Sequence, residues 1–79
     1  MMSDEYLTLV KNIKYYRKIK NISQEKLAEL ADLSSSYIKQ IESAKDFKNL
    51  TLYSIIKISN ALDIEITKLF EKRNVLIKN

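Results

Sequence analysis

Residues 23–42, SQEKLAELADLSSSYIKQIE, contain two short apolar periods of helical spacing, one on each side of Asp32-Leu33-Ser34. In the first, Leu27, Ala28 and Ala31 share one helical face; in the second, Ile38 and Ile41 share another. Only a few polar residues are left to turn the chain between them. Two helices joined so tightly cross at a steep angle, which pushes the second one outward. The outward positions of that second helix, Ser35, Ser36, Lys39, Gln40 and Ser43, are polar and none is acidic.

This is the layout of a helix-turn-helix, and an acid-free polar face is what a helix lying in a DNA major groove requires. Ser35 and Ser36 are short enough to let the helix N-terminus approach the groove floor. Gln40 lies one turn further along, where its amide pairs with adenine N6 and N7, and Lys39 has the reach for guanine or a phosphate. These four are the expected base-reading residues. Tyr37 allows two arrangements: its ring packs against the preceding helix and presents only its hydroxyl to DNA, or it lies against the sugar-phosphate wall or a thymine methyl. We expect it to serve both packing and DNA contact, and we place it, with Ser43, among the backbone contacts.

Composition narrows the classes. Seventy-nine residues are expected to form one small domain, near the lower limit at which a core holds without staples. Cysteine and histidine are both absent, which leaves no disulfide framework, no zinc ligand set and none of the commonest nucleophiles or general bases. We therefore expect neither a metal, nor a cofactor, nor an enzyme. The net charge of +4 and pI near 9.3 suit a polyanionic partner without demanding one. No apolar run approaches the roughly 20 residues needed to span a bilayer, and MMSDEYLT does not read as a secretory signal, so a cytoplasmic location is expected.

No segment alternates at strand period, so the expected fold is all-α, a compact five-helix domain. Helix 1 runs from about Glu5 to Lys20 with Leu9, Ile13 and Tyr16 inward. Helices 2 and 3 begin after Ser23 and Ser34, whose hydroxyls cap free amides, and Glu25 sits where the helix dipole favours a carboxylate. Helix 4 spans about Thr51 to Leu62 and buries Leu52, Ile55, Ile58 and Leu62. A short helix 5 opens near Thr67 and buries Leu69 and Phe70. The chain contains no glycine and no proline. Its left-handed turn positions therefore fall to residues that tolerate them, and Asn21, Asp32 and Asp63 stand where glycine would cap a helix C-terminus.

From about Leu9 to Phe70 the chain resembles the lambda-repressor-like, Cro/CI-type helix-turn-helix domains of the XRE family. The resemblance is carried by Arg17, the Ser23-Gln24 opening of helix 2, Leu27-Ala28, SSSYIKQI from Ser34 to Ile41, Glu42, and IIKISNALDIEITKLF from Ile55 to Phe70. It implies that Arg17 and Glu42 form a largely buried, bidentate structural ion pair, and that Gln24 anchors a DNA phosphate beside the helix N-terminus. Two departures stand out: Ala44 and Asp32 occupy positions where the family usually has glycine, and the 44–50 loop is two residues longer than the common form. Helix 1 from Lys11 to Lys20 is basic without an acid, yet Lys45 and Lys48 of that loop are the favoured additional phosphate contacts. Phe47 is open between core, partner contact and a wedge against DNA.

A single recognition helix touches too few base pairs, so a homodimer on an operator is expected. Ile64, Ile66, Phe70, Val75, Leu76 and Ile77 are the expected dimer surface, since they exceed what so small a core absorbs; the alternative is that they cover the domain's own core or fray. The leading functional expectation is a double-stranded-DNA-binding transcriptional regulator, similar to phage Cro-type regulators or restriction-modification controllers. The alternative is the antitoxin of a toxin pair that also represses its own operon.

Overall fold

The computed structural model describes residues 3–43 and 50–72, so Ala44, Lys45, Phe47, Lys48, Val75, Leu76 and Ile77 lie outside the described residues. Four α-helices follow in order: α1 Asp4–Ile19, α2 Gln24–Ala31, α3 Ser35–Glu42 and α4 Leu52–Ala61, closed by a 3-10 helix, Ile66–Phe70. Among the described residues there is no strand, and no helix long and apolar enough to cross a membrane.

Each α-helix starts on a hydroxyl. Ser3, Ser23, Ser34 and Thr51 take extended backbone angles, and their side chains accept from the amides of Tyr6, Lys26, Tyr37 and Ser54 at 2.9 to 3.1 Å. Each such cap is worth about 1 kcal/mol. The helix ends follow an equally regular rule. Asn21, Asp32 and Asp63 are left-handed at φ 58°, 57° and 58°. The residue after each returns an amide to the carbonyl five positions back: Ile22 to Arg17 at 3.3 Å, Leu33 to Ala28 at 2.9 Å, Ile64 to Ser59 at 3.1 Å. The left-handed residue itself donates to the carbonyl three back, completing a Schellman closure at all three sites. Ile22, Leu33 and Ile64 then pack against the core, so one asparagine and two aspartates replace glycine and still aim an apolar side chain inward.

The core joins Leu9, Val10 and Ile13 of α1, Leu27, Ala28 and Ala31 of α2, Ile38 and Ile41 of α3, Ile55 and Ile58 of α4, Leu62 at its cap, and Leu69. Ala28 and Ala31 let α2 lie close to its neighbours α3 and α4. Tyr16 is half-buried at the core's edge, its ring edge-on to Tyr15 with centroids 5.1 Å apart.

Three expectations of the sequence need correction. The fifth element is a 3-10 helix, not an α-helix, and Phe70 is 47% exposed. A 3-10 helix has three residues per turn, which aligns Leu69 with Ile66 and turns the next side chain, Phe70, away. Leu52 is 64% exposed. A helix advances about 100° per residue, which sets Leu52 roughly 90° from the centre of the arc formed by Ser54, Ile55, Ile58, Ser59 and Leu62.

Asn12, missed by the sequence reading, is buried on the inward arc of α1. Its Nδ2 donates to the carbonyls of Leu69 at 2.9 Å and Glu71 at 2.8 Å, with a longer approach to Lys68 at 3.4 Å. It ties the end of the 3-10 helix to α1. A polar residue directly beside the buried Ile13 was the available signal.

Candidate functional site

The candidate site is the outer face of α3 and the frame that holds it. Ile38 and Ile41 are fully buried and anchor the helix from behind. Ser36, Lys39, Gln40 and Ser43 then stand at spacings of three, four and seven residues and are all exposed, forming a continuous stripe. Ser35, three residues before Ile38, is half-buried, so it borders the stripe. The Ser43 hydroxyl donates to the carbonyl of Gln40 at 2.7 Å and so helps terminate the helix.

Behind the stripe, α3 is clamped at its last residue. Arg17 Nε donates to Glu42 Oε2 at 2.6 Å and Nη2 to Oε1 at 2.9 Å, while Nη1 reaches the carbonyl of Ile22 at 2.7 Å. Gln24 Nε2 adds a bond to Glu42 Oε1 at 3.0 Å. The side chains of Arg17 and Glu42 are 11% and 2% exposed. The hydrogen bonds that Arg17 donates to Glu42 raise the pKa of its guanidinium above the ordinary value, against the lowering effect of burial. One glutamate thus binds α1, the start of α2 and the end of α3 together. The bidentate geometry requires the planar fork of arginine, which lysine lacks.

Three of the residues expected to contact DNA have partners within the protein. Gln24 is half-buried and bonded to Glu42, so one of its two amide hydrogens serves the clamp. Tyr37 turns its hydroxyl to α4, where it donates to Ser54 Oγ at 2.9 Å, and is not presented outward. The reason is phase: Tyr37 stands four residues before Ile41 and so faces the core side, where the buried Ser54 accepts from it and from Thr51. Lys39 is paired with Glu25 of α2, Nζ to Oε2 at 3.2 Å. The first-turn glutamate, valued in the sequence only for the helix dipole, therefore brings an acid beside the stripe. Its exposed carboxyl is held below the usual glutamate range by its own backbone amide first and then by Lys39.

A second face is apolar. Leu52, Tyr53 and Ile56 of α4 are 64%, 69% and 40% exposed, and Ile56 lines a concavity with Ser59, Asn60, Asp63, Ile64, Glu65 and Ile66. Of the residues expected at a dimer surface, Ile64 and Ile66 are half-buried against the core while Phe70 is exposed. The sequence reading places Leu52 inward and does not single out Tyr53 or Ile56, because it follows only the inward period of α4. Lys57 sits over the Tyr53 ring at 4.8 Å and donates to the carbonyl of Asp32 at 3.2 Å, tying α4 to the turn between α2 and α3. Among the described residues no group of acidic, histidine or cysteine side chains is placed to hold a metal ion.

Comparison with known proteins places this geometry. The family model described as Helix-turn-helix matches residues 13–69. The control protein C.SmaI of Serratia marcescens is 36% identical over 67 residues, which is 85% of this chain and 77% of that protein. The crystal structure of the restriction-modification controller protein C.AhdI from Aeromonas hydrophila superposes with a TM-score of 0.76 at 34% identity, covering 86% of this chain and 100% of that one. The N-terminal DNA-binding domain of SinR from Bacillus subtilis superposes with a TM-score of 0.74 at 31% identity, covering 85% and 96%.

Proposed function

Because the chain belongs to the XRE-type helix-turn-helix family, we propose that it is a sequence-specific, double-stranded-DNA-binding transcription regulator of the restriction-modification controller kind, acting as a homodimer. The observation that carries this reading is the exposed stripe Ser36, Lys39, Gln40 and Ser43, free of acids along its length and clamped from behind by Arg17, Glu42 and Gln24. Gln40 and Lys39 supply base contacts, Ser35 and Ser36 allow close approach, and Ser43, Gln24, Lys45 and Lys48 supply phosphate contacts. The second amide hydrogen of Gln24 is left for a phosphate, so the residue couples the clamp to the DNA backbone.

The homodimer is supported by the exposed apolar face of α4, which adjoins the Ile64 and Ile66 concavity through Ile56. A second copy of the chain covers that face and sets two recognition helices about one DNA turn apart. The deciding experiment is selection of bound duplexes from a random pool. Enrichment of a two-fold symmetric site supports the reading, and a purified chain that enriches no sequence and retains no duplex in dilute buffer refutes it.

A further inference from the structure

Lys39 is the cation of the exposed α3 stripe, and Glu25 holds it across the junction between α2 and α3 at 3.2 Å. The two side chains are 54% and 62% exposed. An exposed pair of this kind contributes little to stability and opens readily, so its consequence lies in what Lys39 meets next. A DNA phosphate drawn to the Lys39 ammonium must also approach the carboxylate of Glu25, and the two fields oppose one another. The edge of a guanine offers neutral acceptors at O6 and N7, which the carboxylate does not repel in the same measure.

Resting on the DNA-binding reading above, we infer that Glu25 is a specificity-determining residue, which occupies Lys39 in the unbound protein as a phosphate would and withholds it from generic phosphate contact while leaving it available to a base edge. Glu25 acts through Lys39 and is a positioning residue; it reads no base itself. Discrimination is a difference of affinities, and a residue that lowers the weaker one raises it as surely as a new contact. The Glu25 carboxyl is held below the ordinary glutamate range by its own backbone amide first and then by Lys39, so the contact with Lys39 adds to a depression that its helix position already provides.

The test compares the full-length chain with E25Q, K39Q and the double variant, by fluorescence anisotropy on the selected operator and on a random-sequence duplex of equal length over a range of KCl. E25Q is expected to bind the random duplex about two- to fivefold more tightly, the factor an exposed ion pair is worth, and to gain less on the operator. Its log–log salt slope on random DNA steepens by about 0.9 per protomer, one additional phosphate contact. In the K39Q background the same substitution leaves the ratio of operator to random affinity unchanged. An equal gain on both duplexes, or a full gain that persists without Lys39, overturns the assignment to Glu25 while operator binding by the unaltered chain still stands. An unaltered chain that binds no duplex overturns the DNA-binding reading instead.

Discussion

Gln24 and Arg17 donate to the same oxygen, Glu42 Oε1, at 3.0 and 2.9 Å. The residue at the start of α2 is therefore coupled through one carboxylate to the end of α3, and any DNA phosphate that engages Gln24 acts on the clamp that sets the angle of the recognition helix. Position and contact share one hydrogen-bond network, which in a dry setting is more cooperative than separate pairs.

Arg17→Ala or Glu42→Ala should cost about 3 to 5 kcal/mol, because each strands its buried partner charge. Arg17→Lys should recover only part of the loss, since lysine cannot donate in parallel to both oxygens. Replacing both residues by apolar ones of similar volume should cost less than either single alanine change. Urea unfolding of the set, read at constant m-value, checks this ranking.

Asn21→Ala and Asp63→Ala should each destabilise by about 1 to 2 kcal/mol, the penalty for placing a Cβ without a compensating polar group in the left-handed region. The corresponding glycine changes should be nearly neutral, since relief of that penalty is offset by the greater freedom of the unfolded chain. Denaturant midpoints decide, and an alanine variant as stable as the parent would contradict the Schellman closures.

Gln40→Ala should lower operator affinity by about 1 to 3 kcal/mol and relax preference at one base pair in each half-site. Tyr37→Phe should instead lower stability by about 1 kcal/mol through loss of the bond to Ser54, with affinity per folded molecule unchanged. Titrations on single-substituted operators, beside thermal melts, separate the two effects.

Ile56→Glu should convert the proposed homodimer to a monomer and weaken operator binding by about 10²-fold, the avidity that two linked half-sites supply. The side chain is 40% exposed, so folding should survive. Sedimentation equilibrium reports the assembly state and circular dichroism the fold; an unchanged dimer would remove α4 from the interface.

The Glu25 carboxyl should titrate below the ordinary glutamate range, and part of that depression should vanish in K39Q. A carboxyl whose folded pKa is lowered contributes stability that is present above its unfolded value and disappears as pH falls through the folded one. The carboxylate should therefore stay charged, and its attraction to Lys39 persist, until the pH falls below about 4.5, the reference value from which the group is depressed. Side-chain carboxyl shifts followed by NMR across that range give the measurement.

Local physics accounts for what was legible in the chain. Hydroxyl caps at Ser23 and Ser34, left-handed turns at Asn21, Asp32 and Asp63, and the inward rows ending in Ile41 and Ile58 depend on neighbours within a few positions, and the all-α fold follows from them. The outward stripe of α3 is likewise a matter of phase against Ile38 and Ile41. The pairing of Arg17 with Glu42 was within reach only through family resemblance, since nothing local joins residues 25 positions apart.

Tertiary structure decided which polar groups are already engaged. Tyr37 meets Ser54, Gln24 meets Glu42, Lys39 meets Glu25 and Asn12 meets the carbonyls of Leu69 and Glu71. These bonds depend on how the helices cross, because a side chain's partner is whichever donor or acceptor packing brings within about 3 Å. Helical period says which way a residue points; only the packed arrangement says what it finds there.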